Sequence, residues 1–428
     1  MRTEFLINAF FQNNRNTLIN KIISNSIILL FSPDEYPRNG DQFYYFRQNS
    51  NLYHLCGINQ EETILMLSPF SKIVNEKEVL FIKQVNNLKR IWFGEKLEKE
   101  DATKISGINN IQWNEKFESF LIKQMEFVDT IYFIETPEIK SFDNCQSSNM
   151  RRMEALKKQF PEKKFLALNP LMEELRLVKQ KAEIDIIKKA VSITKSAYKR
   201  ILKNTQPGIF EYEIEAEITY EYLKQGAQGH AYAPIVASGK NACILHYIDN
   251  DKECKDGDLL LLDFGAEYSN YAADCSRTIP VNGKFTERQK ECYNAVLDVY
   301  QKAQKLYIPG NTIDIINEQV GVWMQEKMIE LGLFSQDEID NYKGEEPIYK
   351  RYFMHGTAHF IGLDVHDVGS KQTVFIEGML LSCEPGLYIE EEGIGIRIET
   401  DILVADNPID LMSDFPLSIE HIERIMAK

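Results

Sequence analysis

The chain has 428 residues, 44% hydrophobic and 26% charged, with a formal net charge of −15 at pH 7 and a mean hydropathy of −0.33. The length favours two domains with ample core, and the acidic balance argues against nucleic acid or a membrane surface as partner. Seven cysteines (56, 145, 243, 254, 275, 292, 383) contain no CxxC pair, the pattern of a reduced intracellular set. Neither a secretory leader nor an 18-residue apolar run is legible, so the expected location is cytoplasmic.

In chain order, residues 26–32 (SIILLFS) read as a buried strand followed by the turn-rich PDEYPRNG. Residues 44–57 carry aromatics and end at Gly57. Residues 63–67 and 79–82 read as short apolar strands of parallel-sheet type. The theme repeats over 124–168, with a strand TIYFIE, a basic helix MRRMEALKKQF and a strand KFLAL. His54 is the only histidine of this half and reads as structural or interfacial. No catalytic cluster is visible here.

Near Asn169-Pro170 the character changes, which places a domain boundary at about residue 172 and gives domains 1–172 and 173–428. Two amphipathic helices are expected at 181–202 and 211–224, separated by a turn at Pro207-Gly208. From Ala233 onward β-type segments dominate, interrupted by helices at 286–306 and 312–331.

Three of the seven histidines, His355, His359 and His366, fall within 355–369 (HGTAHFIGLDVHDVG). Gly356, Gly362 and Gly369 punctuate the stretch, so FIGLDV reads as a short extended segment between turns. Any one of these histidines could be a satisfied structural residue. Three together point to handling of a metal, a proton or an oxyanion near neutral pH.

In 257–281 (GDLLLLDFGAEYSNYAADCSRTIPV) four leucines run into Asp263, and a buried strand that ends on a carboxylate needs a partner for it. With Tyr268-Ser269 at the tip of a turn, Asp274 faces Asp263 across a hairpin. Carboxylates about 5 Å apart repel unless cations lie between them. The alternative is a solvent-exposed hairpin with incidental acids. Glu384 likewise ends an apolar run in 378–386 (GMLLSCEPG). In 393–404 (GIGIRIETDILV) Ile394, Ile396, Ile398, Thr400 and Ile402 take one face, and Arg397, Glu399 and Asp401 the other. Alone, that is an ordinary polar outer face.

Together Asp263, Asp274, His359, Glu384 and Glu399 offer four carboxylates and one imidazole. Their charge nearly neutralises two divalent cations and leaves room for a bridging water or hydroxide. Such an oxygen-rich set favours Mn²⁺ over an all-nitrogen or thiolate zinc site, although affinity order alone favours Zn²⁺ or Cu²⁺. Cations about 3.5–4 Å apart would lower the water's pKa and polarise a carbonyl.

In this order the residues are similar to the pita-bread metallopeptidase family, which includes methionine aminopeptidase, prolidase and aminopeptidase P, and they most closely resemble aminopeptidase P. The resemblance is carried by ILHY at 244–247, DFGAEYSNYAADCSRTIPVNGKFT at 263–286, HGTAHFIGLDVHDVG, EPGLYI at 384–389 and GIRIETDI at 395–402. In the first half it is carried by FRQNSNLYHLCG at 46–57 and IWFG at 91–94. It implies an α/β and α+β chain, an N-terminal creatinase/aminopeptidase P-like α/β domain followed by a pita-bread catalytic domain. By the same resemblance Asp263 chelates one metal, Asp274 and Glu399 bridge both, and His359 and Glu384 bind the other. Glu384 also relays the water's proton, His246 and His366 flank the substrate, and His355 lines the proline-side pocket. Arg397, expected to be engaged by Glu399, supports the ligands and the substrate's downstream end.

The implied activity is removal of the N-terminal residue from X-Pro peptides. A homo-oligomer (tetramer or dimer) is implied as well, its Trp92 loop reaching a neighbouring subunit's site, although a lone tryptophan is otherwise a core residue. Prolidase, restricted to X-Pro dipeptides, and a catalytically silent pita-bread binding protein are the competing readings. The rim after Tyr388 (IEEE) is short and acidic.

Overall fold

The structure, a computed structural model, describes residues 6–85, 87–135 and 147–427 and divides into a unit ending at Arg176 and a unit beginning at Leu177. Cys145 lies outside the described residues; the other six cysteines are free thiols.

A six-stranded sheet forms the first unit, in the order Asn110–Trp113, Glu78–Ile82, Ile64–Leu67, Ser26–Phe31, Thr130–Phe133, Lys164–Ala167. The apolar segments are strands, but the parallel expectation fails for one of them. Ile64–Leu67 runs antiparallel to both Ser26–Phe31 and Glu78–Ile82, while the remaining neighbours are parallel. The link from Leu67 to Glu78 holds one short turn of 3₁₀ helix, Val74–Glu76, and is too short for the crossover a parallel pair requires. The runs are apolar because both faces are covered. Ile28, Leu30, Leu65, Leu67, Leu80 and Ile82 pack into one core cluster, and Ile27, Leu29, Phe31, Met66, Val79 and Phe81 into another, sorted by the two-residue period of a strand.

The aromatic stretch 44–57 ends as the helix Ser50–Cys56, capped by the Asn49 side chain and closed by Gly57 at φ 70°. A Cβ on Gly57 would lie 2.4 Å from the Phe11 ring, so glycine alone meets both demands. His54 is buried in this helix, and Asn14 donates to its carbonyl oxygen.

In the second unit the two expected amphipathic helices form as Lys181–Asn204 and Glu211–Lys224, and two more as Glu287–Ala303 and Ile313–Glu330. Among the described residues its strands make four small antiparallel sheets. One is Ile235–Ser238, Leu259–Asp263 and Ser276–Pro280; a second is Gly229–His230, Ala266–Tyr268 and Tyr271–Ala272. The third is Leu380–Cys383, Thr400–Leu403 and Ile409–Asp410, and the fourth pairs Gly386–Ile389 with Ile394–Arg397. No described helix is long and apolar enough to cross a membrane.

Three local expectations are corrected. The hairpin tip is Ser269-Asn270, both at positive φ (50° and 65°), as a two-residue turn matched to strand twist demands. Tyr268 therefore lies opposite Tyr271 and Asp263 opposite Ser276, which moves Asp274 two residues along. An even shift keeps both carboxylates on one face. The run 393–404 is cut into two strands that serve different sheets, and Arg397, Glu399 and Asp401 are buried, so they form no outer face. In 355–369 only Phe360 makes a bridge, to Leu381; the rest is bends and irregular backbone.

Candidate metal centre

The nine residues nominated from the sequence, His246, Asp263, Asp274, His355, His359, His366, Glu384, Arg397 and Glu399, all line one pocket of about 500 Å³ in the second unit. Asp263 closes the strand Leu259–Asp263 and Asp274 precedes the strand Ser276–Pro280. Gly265 keeps the two segments close: a Cβ on it would stand 1.8 Å from the Ala273 carbonyl oxygen. Between the aspartates sits Tyr232, whose hydroxyl oxygen is 2.6 Å from Oδ1 of each. A phenol has one proton to donate. The second carboxylate contact therefore calls for a proton or a cation on an aspartate.

His359 Nδ1 faces the Phe360 carbonyl oxygen at 3.2 Å, which turns Nε2 into the acidic cluster. Asp274 Oδ2 lies 3.2 Å from Nε2, Glu384 Oε1 3.7 Å and Glu399 Oε1 3.9 Å. One ligand atom from each of Asp274, His359 and Glu399 falls within 4.8 Å of the others. Glu384 adjoins this group through His359, and Asp263 through Tyr232.

The electrostatics of the cluster favour positive charge beside the carboxylates. Burial, then the charges of Asp274, Glu384 and Asp263, push Glu399 well above the usual carboxylate range. Burial outweighs the nearby His359 and Arg397 and lifts Glu384 to about 7. Burial raises Asp263 against the pull of Arg397. His359 shows the converse: burial works to lower its pKa, yet the hydrogen bond and charge of Asp274, with Glu384, carry it to about 9. Carboxylates that hold protons because they are buried, and secondarily because they repel one another, are a set that bound cations would deprotonate. The grouped donors Asp274, His359 and Glu399, with the carboxylates of Glu384 and Asp263 beside them, fit divalent-cation chemistry.

Arg397 is fixed on three sides: Nη2 donates to Asp263 Oδ2 (2.6 Å), Nη1 to the Tyr388 hydroxyl (2.9 Å) and Nε to Ser276 Oγ (2.8 Å). Its partner is Asp263 and not Glu399, which instead accepts from Ser276 Oγ at 2.7 Å. The Tyr388 hydroxyl in turn donates to His355 Nε2 at 2.8 Å, while His355 Nδ1 donates to the Gly356 carbonyl oxygen at 2.7 Å. Burial, helped by the positive charge of Arg397, drives His355 down to about 3. It is a neutral imidazole. His366 meets the His359 ring edge-on at 4.3 Å, and burial followed by the charge of His359 lowers its pKa.

Sequence reasoning missed three contributors. Tyr232 carries no motif signal, since only the fold brings it between the aspartates. Tyr388 stands inside the EPGLYI segment, but its bonds to His355 and Arg397 depend on the pairing of Gly386–Ile389 with Ile394–Arg397. Lys371 adds an exposed cation to the pocket wall; it follows the histidine cluster closely and could have been weighed.

A model of metallopeptidase family M24 matches residues 185–406, and one of the aminopeptidase P N-terminal domain matches residues 11–132. The chain belongs to metallopeptidase family M24. The aminopeptidase P-type N-terminal domain and the pita-bread catalytic domain of the M24 family are thus both present. Among M24 relatives, the Xaa-Pro aminopeptidase of Haemophilus influenzae is 36% identical, with 97% of this chain and 96% of the relative covered. The Xaa-Pro aminopeptidase of Escherichia coli is 34% identical, with 97% of each covered. A zinc-substituted E. coli aminopeptidase P in complex with product matches with a TM-score of 0.88 at 32% identity over 99% of each chain.

Proposed function

We propose that the chain is a metal-dependent exopeptidase that removes the N-terminal residue from peptides with proline in second position. The observation that carries this reading is the convergence of Asp274, His359 and Glu399 ligand atoms within 4.8 Å of one another, in a chain similar along its length to Xaa-Pro aminopeptidases. Asp263, Asp274, His359, Glu384 and Glu399 would hold two divalent cations, with Mn²⁺ favoured by the oxygen-rich donors. When bound, such cations supply a water of lowered pKa and a Lewis acid for the scissile carbonyl.

The chain's own groups do the rest. Glu384, a buried carboxylate 3.7 Å from His359 Nε2 on the pocket wall, is placed to accept a proton and return it. The Asp263–Arg397–Tyr388–His355 chain holds His355 neutral, with both ring nitrogens engaged. His246 and His366 flank the substrate from the open side. An X-Pro bond has no N–H to recognise, so selection rests on the carbonyl, the free α-amine and a ring pocket against His355.

Trp92 is 81% exposed, with Leu88 and Ile91 exposed beside it, which removes the core reading for this tryptophan. An exposed apolar cluster of this kind supports a homo-oligomer, a dimer or tetramer, in which Trp92 serves a neighbouring subunit's site. The free, scattered thiols support a cytoplasmic location.

Prolidase activity is the second reading, and the Lys371 cation on the pocket wall is what favours it. The filled ligand set weighs against a catalytically silent binding protein. Chelation followed by Mn²⁺ tests the proposal: cleavage of an X-Pro-Y peptide is lost with the metal and restored by it. Full activity in metal-free protein contradicts it.

A further inference from the structure

His246 sits on a segment with little structure of its own. After the 3₁₀ turn Gly239–Cys243 the chain enters no strand until Leu259. Near His246 its backbone bonds are turn-like, Ile244 N to Asn241 O at 2.9 Å and Tyr247 N to Ile244 O at 3.3 Å. Nothing in that backbone alone would hold an exposed histidine at a fixed place on the pocket wall.

What holds it is Glu211, the first residue of the helix Glu211–Lys224. Its side chain is fully buried, and its carboxylate accepts five hydrogen bonds. Oε1 takes Ser238 N (2.8 Å), Ser238 Oγ (2.7 Å) and Asn241 Nδ2 (3.1 Å), and Oε2 takes the Tyr247 hydroxyl (2.7 Å) and Lys252 N (3.0 Å). Those donors come from both ends of the 238–252 loop and from two points within it. A buried carboxylate is costly unless hydrogen-bonded, and here every donor belongs to one loop. The same helix adds a second peg: Asn250, at φ 48°, donates to Glu215 Oε2 at 2.9 Å and accepts from Val236 N at 2.9 Å.

Tyr247 is the decisive link, because it is the neighbour of His246. Its ring is buried with Ile235, Ala237, Ala242, Leu261 and Tyr388, and its hydroxyl ends on Glu211. On either side of it, Ile244, His246 and Ile248 are exposed, and His246 and Ile248 line the pocket. With the Tyr247 ring packed inward and its hydroxyl held on Glu211, its neighbours His246 and Ile248 are left on the pocket wall.

We infer that Glu211, acting through Tyr247, is a positioning residue for His246: it contacts neither substrate nor metal but sets where that imidazole stands. The inference rests on the proposed peptidase reading, in which His246 flanks the substrate. A double-mutant cycle on the metal-loaded full-length protein tests it, with an X-Pro-Y tripeptide as substrate and bound metal and thermal unfolding measured for each variant. Glu211→Gln and Tyr247→Phe should each lower kcat/KM by about tenfold, with metal content unchanged, since small misplacements of an acting group are costly. In a His246→Ala background the same substitutions should change kcat/KM by less than about twofold, the signature of two residues acting through one. Loss of packing alone would lower activity equally in both backgrounds.

Should Glu211→Gln fail to fold, Tyr247→Phe, which removes one hydroxyl, gives the same reading. Equal losses in both backgrounds, or wild-type activity in Tyr247→Phe, overturn the inference while the peptidase reading stands. Undiminished activity in His246→Ala overturns both the role of His246 and this inference. No cleavage of any X-Pro peptide by the parent protein removes the peptidase reading itself.

Discussion

Arg397 is bound to Asp263, guanidinium Nη2 to carboxylate Oδ2 at 2.6 Å, and not to Glu399 two residues along its own chain. The strand carrying Arg397 ends before Glu399, and the next strand joins a different sheet. Glu399 is thereby left facing Asp274 and His359, with Ser276 Oγ as its donor.

That geometry makes Glu399→Ala a clean test of the metal centre. The variant should lose at least one bound metal and nearly all turnover while the fold survives. Removing the carboxylate deprives Ser276 of an acceptor, worth about 1 kcal/mol, but also relieves repulsion with Asp274 and Glu384. Metal analysis, kcat and thermal unfolding decide the matter. Normal turnover with two metals retained would end the dimetal assignment.

Metal binding should be coupled to proton release. Without metal, His359 titrates near 9, Glu384 near 7 and Glu399 well above its usual range, so at pH 7 the site carries protons that ligands must give up. Raised pKa values mean the protonated form persists to higher pH, and metal affinity therefore falls as pH drops from 9 toward 6. Calorimetric titration of metal-free protein with Mn²⁺ in buffers of different ionisation enthalpy measures the release. Uptake with no net proton release would contradict the charge balance described for the site.

Gly265 sets the separation of the two aspartate-bearing segments. Because a Cβ there would lie 1.8 Å from a backbone oxygen, Gly265→Ala must push the segments apart. The expected cost is about 1–3 kcal/mol, the range for overpacking, together with weaker Mn²⁺ binding. Denaturant unfolding and a metal titration report the two effects separately. An unchanged protein would mean the segments have slack.

Trp92→Ala should raise KM more than it destabilises the fold, because an exposed side chain away from special contacts is worth within about 0.5 kcal/mol. Sedimentation of the parent protein should give a dimer or tetramer. A fully active monomer in solution would refute the role given to Trp92.

The proposed metal ligands are legible in part because some break local rules: Asp263 and Glu384 end apolar runs, whereas Glu399 stands in a run whose alternation alone suggests an ordinary polar face. Two-residue periodicity also survives errors of register. The hairpin tip lies one residue later than the sequence suggests, yet Asp263 and Asp274 still share a face, since the resulting shift is two. What a single sequence hides is pairing across distance. Tyr232 and Tyr388 reach the site only through sheet contacts, and the antiparallel direction of Ile64–Leu67 follows from its neighbours, not from its own composition. In the sequence Glu211 is one more acid at a helix start, and only its five donors reveal a loop anchor.

The proposed function turns on which end of the substrate the site reads. A prolidase must hold the free carboxylate of a dipeptide. Arg397 is already committed to Asp263; the acidic turn Glu390–Glu392, expected at the rim, is not among the residues that line the pocket, and its Glu392 is paired with Arg288. Lys371 alone among the described pocket-lining residues remains as a cation for that purpose. The most direct measurement is a side-by-side assay of kcat/KM, with Mn²⁺ added throughout, on an X-Pro-Y tripeptide, the matching X-Pro dipeptide and X-Ala-Y. The expected result is faster cleavage of the tripeptide than of the dipeptide, with X-Ala-Y poor. A strong preference for the dipeptide would contradict the aminopeptidase reading and make this chain a prolidase.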